Sequence, residues 1–497
     1  MSTIAVTTDN VRPPQDKILQ DIANYVHAAT APRLSDLAMA TARLCLIDTL
    51  GCGIEALKHP ACKRLLAPVV PATNVPAGAR VPGTSHVLDP VRATFAIGAQ
   101  IRWLDFNDCW LAAEWGHPSD NLAGLLAVAD WMTRTYRQSG TRVVPFARVV
   151  RMAEILELMV RAHEIQGLLA LDNAFNEVGL DHVVLVKVAT ASVVARLVGL
   201  NRTQIADAVS HAFVDGQALR TYRHAPNTGP RKSWAAGDAA ARAVNLVLMV
   251  QQGEPGLPSI LTAPTWGFYD VLFKHQIFSL QRPFGSYVME NVLFKVSFPA
   301  EFHAQTAVEA AVDLHHELQT RRLTVPDHIA AIDIKTQAAG NRIINKTGPL
   351  YNYADRDHCI QYMVAVALVS GQLTAENYSD AYATSHEKVL HSLRSKMTCS
   401  EEPAFTADYH DPQKRFIANR VTITLTNGEQ LTRQIDYPLG HRLRRDQAVP
   451  AILDKFERHV RTCFDQDQAN AILRTSSAAD NLDEIDVDSY MDLYVKQ

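Results

Sequence analysis

The chain has 497 residues, 47% of them apolar and 20% charged. At roughly 150 residues per domain this is room for two to four domains, and it excludes disorder over most of the length. Forty-eight Lys and Arg against 52 Asp and Glu leave a net charge of −4, so a protein that grips nucleic acid by phosphate neutralisation is not expected.

No uninterrupted apolar run approaches the ~18–20 residues of a membrane helix. The best, residues 244–250, contains Asn245 and stops at Gln251, and no membrane partner is expected. The seven cysteines (Cys45, Cys52, Cys62, Cys109, Cys359, Cys399 and Cys463) are odd in number and form no Cys-x-x-Cys pair. A zinc site or cysteine-held cluster therefore has no visible framework, and no metal is expected. Residues 1–17 carry two acids and lack the charged-then-apolar layout of a secretory leader. With the odd thiol count, they predict a cytoplasmic, reducing location.

In chain order, residues 16–29 place Ile18, Leu19, Ile22, Tyr25 and Val26 on one helical stripe. Residues 70–82 read as a Pro-containing connector. Residues 149–169 are apolar nearly all round, as a helix buried in a bundle would be, and 239–250 form another helix ended by Gly253 and Pro255. After about residue 296 the period changes: Ile332 and Ile334 alternate with polar residues, and so do Val421, Ile423 and Leu425. The second run meets Leu431 and Ile435 across Asn427-Gly428, a strong hairpin signal. Helical stripes recur at 304–318, 359–368 and 449–463, and the acidic stretch 478–488 reads as surface. The predicted class is mainly α. That order of elements suits a discontinuous all-helical domain, residues 1–295 and 441–497, carrying an inserted α+β lid, residues 296–440.

Two stretches concentrate chemistry. RWLDFNDCWLAAEWGHPSDN (102–121) interleaves Trp103, Trp110 and Trp115 with Asp105, Asp108, Glu114, Asp120 and His117. Aromatic walls around ionisable groups exclude water and shift pKa values, although aromatics that plug a bundle beside capping acids look the same. RTYRHAPNTGPRKSWAAGD (220–238) places Arg220, Arg223, Arg231 and Lys232 ahead of a helix. Arg forks, a Lys point charge and a helix N-terminus suit a small polyanion; a solvated basic loop is the plainer alternative. No Gly-x-x-x-x-Gly-Lys, Gly-x-Gly-x-x-Gly or Gly-x-Ser-x-Gly run is present, so nucleotide binding and serine hydrolysis have no support. Taken singly, His182 is more often a cap or core residue, Lys295 more often exposed, and Tyr362 more often core.

At these stretches, and at LTAPTWGFYD (261–270), NVLFKVSFPAEFHAQTAVEA (291–310), ADRDHCIQYM (354–363) and ADYHDPQKRFIAN (407–419), the chain resembles the 2-methylcitrate dehydratase family. The superfamily also holds cis-aconitate decarboxylase and iminodisuccinate epimerase. The resemblance covers essentially the whole chain. It implies a homodimeric enzyme with a large helical domain, a smaller α+β lid and a site between them, using neither metal nor organic cofactor. It places His117, Asp105, His182, Lys232 and Tyr362 at the site. Lys295 stands three residues before Phe298, where the decarboxylase branch has two, so its side chain is expected to point elsewhere. Two extra residues between Asp105 and His117 are expected to reshape the wall around 110–114.

The reaction so implied removes water from a tricarboxylate. It needs cations for about three carboxylates, a base for the carbon proton and an acid for the departing oxygen. Arg220, Arg223, Lys232 and Lys295 are the candidate cations. His117 and His182 are expected to share the acid and base roles, Asp105 to orient one imidazole, and Tyr362 to hydrogen-bond the developing charge. The rival readings are decarboxylation or epimerisation on the same scaffold, and a non-catalytic tricarboxylate-binding protein.

Overall fold

Helices dominate the computed structural model, which describes residues 10–496; residues 1–9 of the leader stretch read above lie outside the described residues. Helix α1 (Lys17–Val26) buries Leu19, Ile22, Tyr25 and Val26, as its stripe predicts. Helix α2 (Asp36–Ala56) starts at Ser35, whose hydroxyl accepts the Ala38 N–H. By length and composition α2 could cross a membrane, which corrects the expectation that no such segment exists. Its polar residues interrupt every short run, yet the 18-residue average is apolar, and 72% of that window is buried within the protein. A core helix passes the same test.

Helix α3 (Pro90–Arg102) opens on Asp89, which accepts the Val91 and Arg92 N–H groups, with Pro90 at the first position. Then follow α4 (Leu122–Ser139), α5 (Met152–Asp172), α6 (Val183–Leu197) and α7 (Ala235–Gln251). Helices α3 and α7 cross at two glycines: a Cβ on Gly98 would lie 2.5 Å from the Gly237 Cα. Only glycine permits that approach, and it brings Arg102, at the end of α3, beside Lys232, which precedes α7.

Apolar packing falls into two main clusters. One runs from Leu19 to Val296 and resumes from Ala448 to Tyr494; the other draws on Leu293 to Leu431 together with Cys109, Leu111 and Trp115. The second contains α8 (Gln305–Thr320), α9 (Ile360–Ser370) and a four-stranded sheet. Its strands are β1 (Ile329–Thr336), β2 (Met397–Glu401), β3 (Asn419–Leu425) and β4 (Gln430–Ile435), in the order β2-β1-β3-β4. Strands β1 and β2 are parallel; the other pairs are antiparallel. The Asn427-Gly428 hairpin forms with Ile423 opposite Leu431, and Gly428 sits at φ 88°, where a side chain would be strained. Strand β3 buries Val421, Ile423 and Leu425, the alternation seen in its sequence.

Helix α10 (Arg445–Val460) returns to the first cluster, burying Ile452 and Phe456 against α2. The acidic stretch 478–488 is not simply surface. Leu482 and Val487 are fully buried, and Arg137 holds Asp486 at 2.6 Å and Asp488 at 2.5 Å. Apolar residues every few positions pull this segment in, and cations on neighbouring helices neutralise its acids.

Candidate active site

Where the two apolar clusters meet lies a narrow cavity of about 20 Å³. Asp105, His117, His182, Arg220, Arg223 and Lys295 line it together. Lys232 stands behind this wall. Tyr362 is not brought here: its hydroxyl donates to the Asn377 carbonyl at 2.6 Å, and its ring lines a different cleft with Arg356 and Arg394.

Asp105 is the hub. It follows the last turn of α3 in left-handed backbone conformation, φ 51°, which is costly for a non-glycine residue and persists only where its surroundings over-determine it. Lys295 supplies that constraint: Nζ donates to the Asp105 carbonyl at 2.9 Å and also to its carboxylate. Lys295 is fully buried and lines the cavity, so the expectation from its offset that the side chain points elsewhere is corrected. The chain between Val292 and Val296 is itself buried and turns the side chain inward. Arg102 Nη1 lies 2.8 Å from Asp105 Oδ1 and Lys232 Nζ 3.7 Å from Oδ2. Burial alone would raise the Asp105 pKa; Arg102, Lys295 and Lys232 overcome it and hold the carboxyl well below its usual range.

The two imidazoles differ. Strand-like residues Trp115–Gly116 lead into His117, and Gly116 is needed because a Cβ there would come 3.2 Å from the His182 ring. His117 Nδ1 lies 2.6 Å from the Asp108 carbonyl, and Nε2 lies 2.7 Å from Arg102 Nη2. A guanidinium can only donate, so Nε2 accepts and the ring proton sits on Nδ1. His182, at the start of α6, has neither ring nitrogen hydrogen-bonded, although Asp181 Oδ1 is 3.4 Å from Nδ1. The rings are 5.8 Å apart. Burial, then Arg102 and Lys295, push the His117 pKa well below its ordinary value. Burial likewise depresses His182, where Asp181 opposes and Arg223 and Arg220 reinforce it.

Each predicted cation already holds a protein carboxylate. Arg220 donates to Glu114 at 3.2 Å and stacks over Trp115; Arg223 is paired with Asp181; Lys232 donates to Asp357 at 2.7 Å; and Lys295 is paired with Asp105. Glu114 lies in the 110–114 wall that was expected to be reshaped, and Trp110 there donates to the Gly167 carbonyl at 3.0 Å. Residues that sequence reasoning did not single out complete the site: Arg102, Glu301, Asp357 and His358. Their signal was only adjacency, Arg102 to Asp105 and Asp357 to His358.

Beneath the cavity Cys45, Asp108 and His163 place three donor atoms within 4.8 Å of one another. They could hold a metal by spacing. Among themselves they already form a network: His163 Nε2 is 2.9 Å from Asp108 Oδ2, Cys45 Sγ is 3.6 Å from it, and Ser119 donates to Asp108 Oδ1 at 2.6 Å.

Fold and cavity together define the class: a mainly helical protein with imidazoles and paired cations enclosed between two packed units. Family models for the MmgE/PrpD N-terminal domain and the MmgE/PrpD C-terminal domain match residues 20–281 and 298–481, and the chain belongs to the MmgE/PrpD family. A relative from Yarrowia lipolytica, named as a mitochondrial 2-methylcitrate dehydratase, is 58% identical over 99% of this chain and 93% of its own length. The 2-methylcitrate dehydratase of Escherichia coli K12 is 56% identical over 98% of this chain and 99% of its own; that of Cupriavidus necator is 57% identical over 97% and 98%. The mitochondrial name overturns the expectation of a cytoplasmic location. Thiol count and the composition of residues 1–17 do not distinguish the cytosol from a reducing organelle.

Proposed function

We propose that this chain is a hydro-lyase that removes water from 2-methylcitrate to give 2-methyl-cis-aconitate, a step of propionate breakdown. The observation that carries the reading is near-full-length identity of 58%, 56% and 57% to three relatives bearing that name. The cavity chemistry agrees. A tricarboxylate carries about three negative charges at neutral pH; Arg220, Arg223 and Lys295 line the cavity where it would sit, with Lys232 behind its wall. Because each is already paired, the substrate takes the donors left over, among them the buried, unpartnered Arg102 Nε. The protein carboxylates keep the cations ordered while the cavity is closed to solvent.

His182 is the base of this reading. It lines the cavity with neither ring nitrogen hydrogen-bonded, and the cations around it favour the neutral imidazole that can take a proton from carbon. Arg102 and Lys295 stabilise the aci-carboxylate that develops. His117 is fixed between the Asp108 carbonyl and Arg102, and Asp105 holds these cations in register. Tyr362, bonded to Asn377, acts from its own cleft on the fold of residues 296–440. The same reading divides the chain into a helical body, 1–295 with 441–497, and a lid, 296–440. Two copies associate, a point that light scattering in solution tests.

Incubating the chelator-treated protein with 2-methylcitrate is expected to raise absorbance in the enoate band. No rise, with none after iron is restored, overturns the assignment. Release of carbon dioxide from cis-aconitate would favour the decarboxylase alternative.

A further inference from the structure

We propose that His358 is the proton donor to the departing hydroxyl and that Asp357 is its positioning residue. This deepens the dehydratase reading and rests on it. Dehydration needs a proton on the leaving oxygen as well as a base at carbon, and the two histidines expected to share these tasks are poorly built for the first. His117 has its cavity-side nitrogen occupied by Arg102, and His182 has no hydrogen bond to fix a protonated ring.

His358 lines the same cavity, on the segment that leads into α9, and is 4% exposed. Its Nδ1 donates to Asp357 Oδ1 at 2.8 Å. Nε2 is left toward the cavity, 3.9 Å from Asp105 Oδ2. Asp357 is itself pinned: Oδ2 accepts from Lys232 at 2.7 Å, and its carbonyl accepts the Glu301 N–H at 3.2 Å. A carboxylate on Nδ1 fixes the ring and favours a second proton on Nε2, the arrangement an imidazole acid requires. Burial and Lys232 hold the His358 pKa below its ordinary value, outweighing Asp357 and Asp105. An entering polyanion adds negative charge on the same side.

In the step, the base removes the proton from carbon and that bond's electron pair becomes the new C=C bond. The C–O bond breaks with its pair on oxygen, the oxygen takes the Nε2 proton, and water departs. His358 is left neutral and recovers its proton from solvent, while the base returns one. Because Lys232 belongs to the helical body and Asp357-His358 to residues 296–440, the donor is aligned only when the two units are docked.

The test compares 2-methylcitrate with its analogue carrying fluorine in place of the departing hydroxyl, since fluoride leaves without a proton. Wild type is assayed first: inactivity on 2-methylcitrate defeats the dehydratase reading and this inference with it. With wild type active, His358→Gln is expected to lose about 10²–10⁴ in kcat on 2-methylcitrate with KM within a few-fold, and no more than about tenfold on the fluoro analogue. Turnover of 2-methylcitrate within a few-fold of wild type, or equal losses on both substrates, overturns the inference and leaves the dehydratase reading standing. If His358→Gln does not fold, Asp357→Asn decides: a smaller kcat loss confined to the hydroxyl substrate supports the assignment, and equal losses on both overturn it.

Discussion

His163 and His182 are both buried, at 1% and 2% exposure, in neighbouring polar clusters, yet they are held in opposite ways. His163 spends both ring nitrogens, Nδ1 at 2.8 Å from the Met159 carbonyl and Nε2 at 2.9 Å from Asp108. His182 spends neither, and the residue lines a cavity ringed by cations. A buried polar atom without a partner costs roughly 1–3 kcal/mol, so the fold carries that cost at one imidazole and avoids it at the other. Burial alone therefore does not separate the two histidines; the state of their hydrogen bonds does.

Substitutions can break the comparison. The largest effect is expected from His182→Gln: kcat on 2-methylcitrate falls about 10²–10⁴-fold while the thermal midpoint stays near wild type, measured by steady-state kinetics beside circular dichroism. Stability lost in step with activity would place His182 with His163. Next, His163→Phe leaves Asp108 Oδ2 and the Met159 carbonyl short of a partner, a cost of about 1–3 kcal/mol in urea unfolding. Its kcat is expected within tenfold of wild type.

A pH series sharpens the difference. His117 and His182 are held well below the unfolded value of about 6.5 by burial and neighbouring cations. Below about pH 6.5 the unfolded chain therefore binds protons that the folded site refuses, and stability falls as pH drops. The urea midpoint is expected to decrease from pH 7.5 to 5.5, and His182→Gln to shrink that decrease. The smallest effect is expected from Cys45→Ser, where a hydroxyl replaces a thiol 3.6 Å from Asp108; unfolding should shift by no more than about 1 kcal/mol.

Legibility in the sequence followed the range of the interaction. Helix α1 and the β3–β4 hairpin were visible because their signals, a stripe at helical period and alternation around Asn-Gly, lie within a few residues. The acidic stretch 478–488 misled because its partner Arg137 stands 349 and 351 residues away. Lys295 misled for the same reason: its offset from Phe298 says nothing of Asp105, 190 residues earlier. Glu114 and Asp357, which hold Arg220 and Lys232, are 106 and 125 residues from them.

By itself the sequence determined which side chains were available: two dense polar stretches, a surplus of cations in one and of acids in the other, and local periods that name most helices and the hairpin. Those are properties of neighbouring residues, set by backbone geometry and side-chain type. Only the tertiary structure decided which carboxylate neutralises which cation, that one imidazole keeps its nitrogens free while another spends them, and that His358 joins the lining of the same cavity. Charge pairing and desolvation depend on distances in space, and the chain sets those only when it packs.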